Sequence, residues 1–90
     1  MWESEGERRA SLLARGLEER GIVASIRGSV VSVAGGRRLW VELERRAPGL
    51  PARVAEGRLV VDASSIAEEE IPVAAEAIAR AFRDAEGFLV

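Results

Sequence analysis

Gly35-Gly36-Arg37-Arg38-Leu39-Trp40-Val41-Glu42-Leu43-Glu44 is the stretch on which the reading of the fold turns. From Arg37 onward, apolar and charged residues alternate. Leu39, Val41 and Leu43 fall on one side; Arg38, Trp40, Glu42 and Glu44 fall on the other. A period of two marks a half-buried strand. The Gly-Gly ahead of it supplies the backbone freedom of a tight hairpin. The stretch therefore predicts a strand over 37–44, entered through a hairpin at Gly35-Gly36.

The same pattern extends outward in both directions. Ile22, Ala24 and Ile26 alternate with Val23, Ser25 and Arg27; Gly28-Ser29 suits a type II′ turn, and Val30 to Ala34 is the next strand. Downstream, Ala47-Pro48-Gly49-Leu50-Pro51 is a loop, because proline resists the interior of either regular element. A third hairpin follows, with strands Ala52 to Ala55 and Arg58 to Ala63 around a turn at Glu56-Gly57. Residues 32–42 are faintly similar to 53–62, which shared hairpin chemistry explains more simply than duplication.

Helices are expected at both ends. Ser4-Glu5-Gly6-Glu7 reads as a capping box, with Ser4 as the cap and Glu7 reaching back. Ala10, Leu13, Ala14 and Leu17 recur at helical spacing, Leu12 widens the stripe, and Gly21 stands where a left-handed C-cap belongs. Gly16, inside this helix, costs about 1 kcal/mol relative to Ala and predicts a close helix–sheet approach. In the last segment, Glu68-Glu69-Glu70 complements a helix N-terminus and Pro72 belongs in a first turn, so the helix begins near Glu70. Ala74, Ala77, Ile78, Ala81, Phe82 and Ala85 form its stripe, Glu76 and Arg80 make an i,i+4 pair, and Gly87 ends it. The predicted fold is one α+β domain over 1–90, a two-layer α-β-β-β-(β-β)-α arrangement. Its sheet is antiparallel, with the N- and C-terminal helices on one face.

The amino-acid alphabet narrows the chemistry. Apolar residues make up 48% and charged residues 31%, with a net charge of −2, which describes a folded globular chain rather than a general phosphate binder. Lys, His, Cys, Tyr, Thr, Asn and Gln are absent. Without Cys there is no thiolate and no sulfur metal site. Without His there is no imidazole base or common zinc ligand, and without Lys no Schiff base. No catalytic, cofactor-binding or metal-ligating residue is assigned, and the chain reads as a non-enzyme without a cofactor. No run approaches a membrane span and the N-terminus is too polar for a signal peptide, so no membrane contact and a cytoplasmic location are expected. The Arg–Glu composition fits a thermophile with a GC-rich genome, or alternatively a simplified alphabet.

Binding is the chemistry that remains. Trp40, set among charges on the predicted outer sheet face, has the character of an interface anchor. Arg37 and Arg38, at the predicted hairpin tip beside it, could grip phosphate while Trp40 stacks a base; the competing reading makes them ion-pair partners of the abundant Glu, as it does Arg8-Arg9 and Arg45-Arg46. Phe88-Leu89-Val90 is an apolar tail that docks on the sheet or pairs with another chain. Trp2 reads as a staple onto the first helical turn. Asp62 with Glu68-Glu69-Glu70 is the one acidic cluster, but consecutive helical residues fan apart by about 100° and do not converge on a cation. Ser64-Ser65 has no base to activate it and reads as a cap, and Gly35-Gly36 joins strands rather than preceding a helix as a phosphate loop does.

Val61-Asp62-Ala63-Ser64-Ser65-Ile66, an acidic turn, Pro72, then Glu76-Ala77-Ile78 and Ala81-Phe82-Arg83-Asp84-Ala85 resembles the C-terminal third of YbaB-type nucleoid-associated proteins. The resemblance implies an α-β-β-β-α fold, dimerisation and DNA binding. It is confined to that third: helix one is shorter here and at least one strand or hairpin is extra, so no functional residue carries over.

The expected function is a non-enzymatic protein–protein interaction or assembly module. It self-associates through the Trp40 sheet face or a strand edge, with Trp40, Arg38, Arg37, Phe88 and Leu89 as contact residues. The alternatives are a nucleic-acid-associated dimer that binds through Arg37, Arg38 and Trp40, and a simplified-alphabet protein without a ligand.

Overall fold

Ser4 opens the chain described by a computed structural model, which covers residues 4–87. Its hydroxyl oxygen accepts the Glu7 N–H at 3.1 Å and caps α1 (Glu5–Glu19). Ala10, Leu13, Ala14 and Leu17 are the helix's buried stripe, and Gly21 just beyond it takes φ 84°. The chain then turns into β1 (Ala24–Arg27) and β2 (Val30–Ala34), and later into β3 (Ala52–Ala55) and β4 (Arg58–Asp62). The sheet order is β1-β2-β4-β3 and every neighbouring pair is antiparallel. Two of the three expected hairpin turns form, at Gly28-Ser29 and Glu56-Gly57. Gly28 alone takes positive φ in the first, as a type II′ turn requires, whereas Glu56 and Gly57 both do in the second, as type I′ requires.

The stretch 37–44 is not a strand. Gly36–Arg46 form α2, so Trp40 lies on a helix flank rather than a sheet face, and Arg37 and Arg38 lie in a first helical turn rather than at a hairpin tip. The physical reason is in the same residues. Leu39, Trp40 and Leu43 satisfy a helical period as well as an alternating one, and Arg, Leu and Glu are strong helix formers. Leu39 and Leu43 are buried while Val41 is 44% exposed, a split that alternation cannot produce. Gly35-Gly36 accordingly forms a strand-to-helix corner. Gly36 has φ 51°, and a Cβ there would stand 2.7 Å from the Gly57 carbonyl oxygen, so the start of α2 abuts the β3–β4 turn.

With α2 in place, the chain contains a repeated β-β-α unit. Ala24–Arg27 corresponds to Ala52–Ala55 and Val30–Ala34 to Arg58–Asp62, each hairpin with a two-residue turn and each followed by a helix. The central strands β2 and β4 meet about a local twofold near the Ser32–Val60 pair. The faint similarity between 32–42 and 53–62 joins a strand-plus-helix to a hairpin and has no structural counterpart.

Val31 opposite Val61 and Val33 opposite Leu59 form the buried inner face of the sheet. They share one core with Leu13 and Leu17 of α1, Leu39 and Leu43 of α2, and Ala75, Ile78 and Ala81 of α3 (Ile71–Gly87). Two 3₁₀ turns, Ala63–Ser65 and Glu68–Glu70, lead into α3, and Pro72 sits in its first turn. α3 packs against both α1 and α2. The close approach at Gly16 is therefore helix to helix: a Cβ there would meet the Ala75 Cβ at 3.1 Å, and no sheet atom is involved. Glu76 ties the two terminal helices, accepting from Arg20 Nε at 3.0 Å and Arg80 Nε at 2.8 Å.

Candidate interaction surface

The two edges of the sheet differ. In each hairpin the residues flanking the turn form a hydrogen-bonded pair, and such pairs then alternate along the strands. In β3 this turns the N–H and C=O of Ala52 and Val54 outward. In β1 it turns those of Ala24 and Ile26 outward. On β3, Trp40 takes one of the edge acceptors: its Nε1 donates to the Ala52 carbonyl oxygen at 3.3 Å, and the ring packs half-buried against the core, while the outward backbone of Val54 stays open. No described side chain does the same for β1. Beside that open edge Val23 is 81% and Ile26 48% exposed.

The outer face of the sheet carries no helix. Val30, Ser32, Arg58, Val60 and Asp62 are half-buried there, opposite the inner core row. Arg58 lies across this face, with its Nε donating to Ser32 Oγ at 3.3 Å. A shallow trough of about 660 Å³ runs over Ser25, Val30, Ser32 and Val60, rimmed by Arg27, Arg53 and Arg58 with Glu56 at one end. Beside it a cleft of about 330 Å³ is lined by Arg37, Trp40, Ala52, Arg53 and Val54. Arg53 belongs to both concavities.

Asp62 closes one end of β4. It accepts from the Ser64 hydroxyl at 2.6 Å, the Ser64 N–H at 3.1 Å and the Ser65 hydroxyl at 3.4 Å. The Ser64 hydrogen bond is the main reason that its carboxyl sits below the usual Asp value. The serines thus cap and tie this corner. Glu76 is likewise held below the usual Glu value, first by the Arg80 hydrogen bond and then by Arg20.

Among the described residues, six arginines form ion pairs, all of them among the helices. Arg8 pairs with Glu5 and Glu68, Arg9 with Glu5, Arg20 and Arg80 with Glu76, Arg45 with Glu42, and Arg46 with Asp84. Among the described residues, Arg15, Arg27, Arg37, Arg38, Arg53, Arg58 and Arg83 make no ion pair; Arg27, Arg53 and Arg58 are on the sheet and the others on helices.

The structure brings Arg37 and Trp40 together, as i,i+3 neighbours on α2, but leaves Arg38 out of the cleft about 100° further round the helix. Phe88, Leu89 and Trp2 lie outside the described residues. Sequence reasoning missed Arg53, Arg58 and Arg27. The alternation that buries Leu59 and Val61 already places Arg58 and Val60 on the opposite face, so the signal was present. Among the described residues no helix is long and apolar enough to cross a membrane, and no group of three acidic residues converges as a metal site.

No family model, curated protein or solved structure matches the chain. The YbaB-like segment is a likeness of strand, turn and helix, and the order implied by that family differs from the α-β-β-α-β-β-α order found here.

Proposed function

We propose that the chain is a non-enzymatic interaction module that self-associates by antiparallel pairing of β1 from two copies. The observation that carries the reading is the asymmetry of the edges: Trp40 already takes the Ala52 carbonyl oxygen of β3, whereas β1 offers the outward backbone of both Ala24 and Ile26 next to exposed Val23. An open edge is a template for another strand. Only registers that oppose residues with outward backbone satisfy the ladder. One of them sets Ser25 against Ser25, Ala24 against Ile26, and Val23 against Arg27 of the second copy. It opposes no like charges and lays the Arg27 stem over Val23. About four new backbone hydrogen bonds form, each contributing about 1 kcal/mol net, so association is concentration-dependent rather than permanent.

Sedimentation equilibrium of the full chain tests this. The mass is expected to rise toward twice the monomer with concentration, and Ile26→Lys, which puts a charge on the edge, is expected to stay monomeric with an unchanged melting curve. A monomer up to the solubility limit, or undiminished association of Ile26→Lys, would overturn the reading.

A further inference from the structure

We infer that the uncovered sheet face, together with the Trp40 cleft, binds single-stranded nucleic acid. The surface exists in a single copy of the chain, so the inference does not rest on self-association.

Charge is the first support. The net charge of −2 hides a two-sided distribution. The ion pairs lie among the helices, where Glu18, Glu19, Glu69 and Glu70 are also exposed. The opposite side presents Arg27, Arg37, Arg53 and Arg58 without a carboxylate partner among the described residues, against Glu56 on the rim and Asp62, whose carboxylate is taken up by Ser64 and Ser65. Apart from Arg58, whose Nε and one terminal nitrogen are turned to Ser32, these guanidinium groups keep their donors for a partner, and a planar fork fits phosphate. Such a surface supplies the sequence-independent share of nucleic-acid affinity.

Shape is the second support. Ser25, Ser32, Val30 and Val60 make a low floor along which a sugar–phosphate backbone can lie. Arg53 joins that trough to the cleft, so a chain crossing the sheet leads to Trp40. The indole is held by its hydrogen bond to Ala52 and flanked by Arg37 and Arg53. A fixed aromatic ring between guanidinium groups is a stacking platform for a base. A duplex keeps its bases inside, away from Trp40, and an acidic peptide has no flat group for the ring. The single strand uses both features.

The test is fluorescence anisotropy of a labelled short oligothymidylate titrated with the full chain at low salt. Binding is expected to saturate and to weaken steeply as salt is added. Arg53→Ala and Arg37→Ala are each expected to weaken it roughly tenfold and to lower the salt slope by about one. Trp40→Phe is expected to weaken it by a smaller factor, since a ring remains to stack on. Arg15→Ala and Arg83→Ala, exposed on the helical side, are expected to change nothing. Absence of binding, an equal loss from the helical-side variants, tighter binding of the matching duplex, or equal competition by polyglutamate would each overturn the inference.

Discussion

Trp40 on α2 donates its indole N–H to the Ala52 carbonyl oxygen on the outer rim of β3, at 3.3 Å. A helix side chain thus makes one of the bonds that a neighbouring strand would make on that edge. Trp40→Phe keeps a ring in the packing but removes the donor. Thermal or urea unfolding is expected to show a loss of about 1 kcal/mol, the net worth of one hydrogen bond. With both edges open, light scattering is expected to show assemblies larger than a dimer, because a copy with two free edges propagates.

Replacing apolar residues along α2 separates the helix from the strand that alternation suggests. Leu43→Ala is expected to cost about 2–5 kcal/mol, as the loss of a buried leucine does. Val41→Ala, at an exposed site, is expected to cost under about 0.5 kcal/mol. A strand over 37–44 would bury both on one face and make the two costs comparable. Chemical denaturation of the two variants checks this.

That comparison also shows what was legible in the sequence. The terminal helices and the Gly28-Ser29 and Glu56-Gly57 hairpins could be read because each combines a period with a cap or turn residue. The segment 37–44 misled because Val41 completes an alternation that burial does not use. Trp40 stands out in the sequence, but its partner Ala52 belongs to a strand whose neighbour along the edge is fixed only by the tertiary fold. The arginines of the outer face acquire meaning only when the sheet order brings Arg27, Arg53 and Arg58 onto one surface.

Gly36 is required by its surroundings. A methyl group there meets the Gly57 carbonyl oxygen at 2.7 Å and adopts φ 51°. Gly36→Ala is expected to destabilise by about 2 kcal/mol or more. Gly49→Ala, at a loop glycine with open space around its Cβ position, is expected to be nearly neutral. Melting temperatures of the two variants test the contrast.

Asp62 and Glu76 make stability depend on acid. Both carboxyls titrate below their usual values in the folded chain, chiefly through the Ser64 and Arg80 hydrogen bonds. The unfolded chain therefore takes up their protons first. The stabilisation is complete above the usual carboxylate range and is lost as pH falls through the depressed values, below about pH 4. Glu76→Gln cannot ionise, so its deficit relative to the native chain is expected at neutral pH and to shrink in acid. Unfolding free energies measured from neutral to acid pH give the slope.

Amide hydrogen exchange, followed residue by residue at rising protein concentration, tests the β1 edge most directly. The N–H groups of Ala24 and Ile26 face outward on β1, and that of Val54 faces outward on β3, whose Ala52 carbonyl Trp40 already occupies. The expected result is protection of Ala24 and Ile26 that grows with concentration, while Val54 does not change. Exchange at Ala24 and Ile26 that is equally fast at every concentration would contradict self-association through β1.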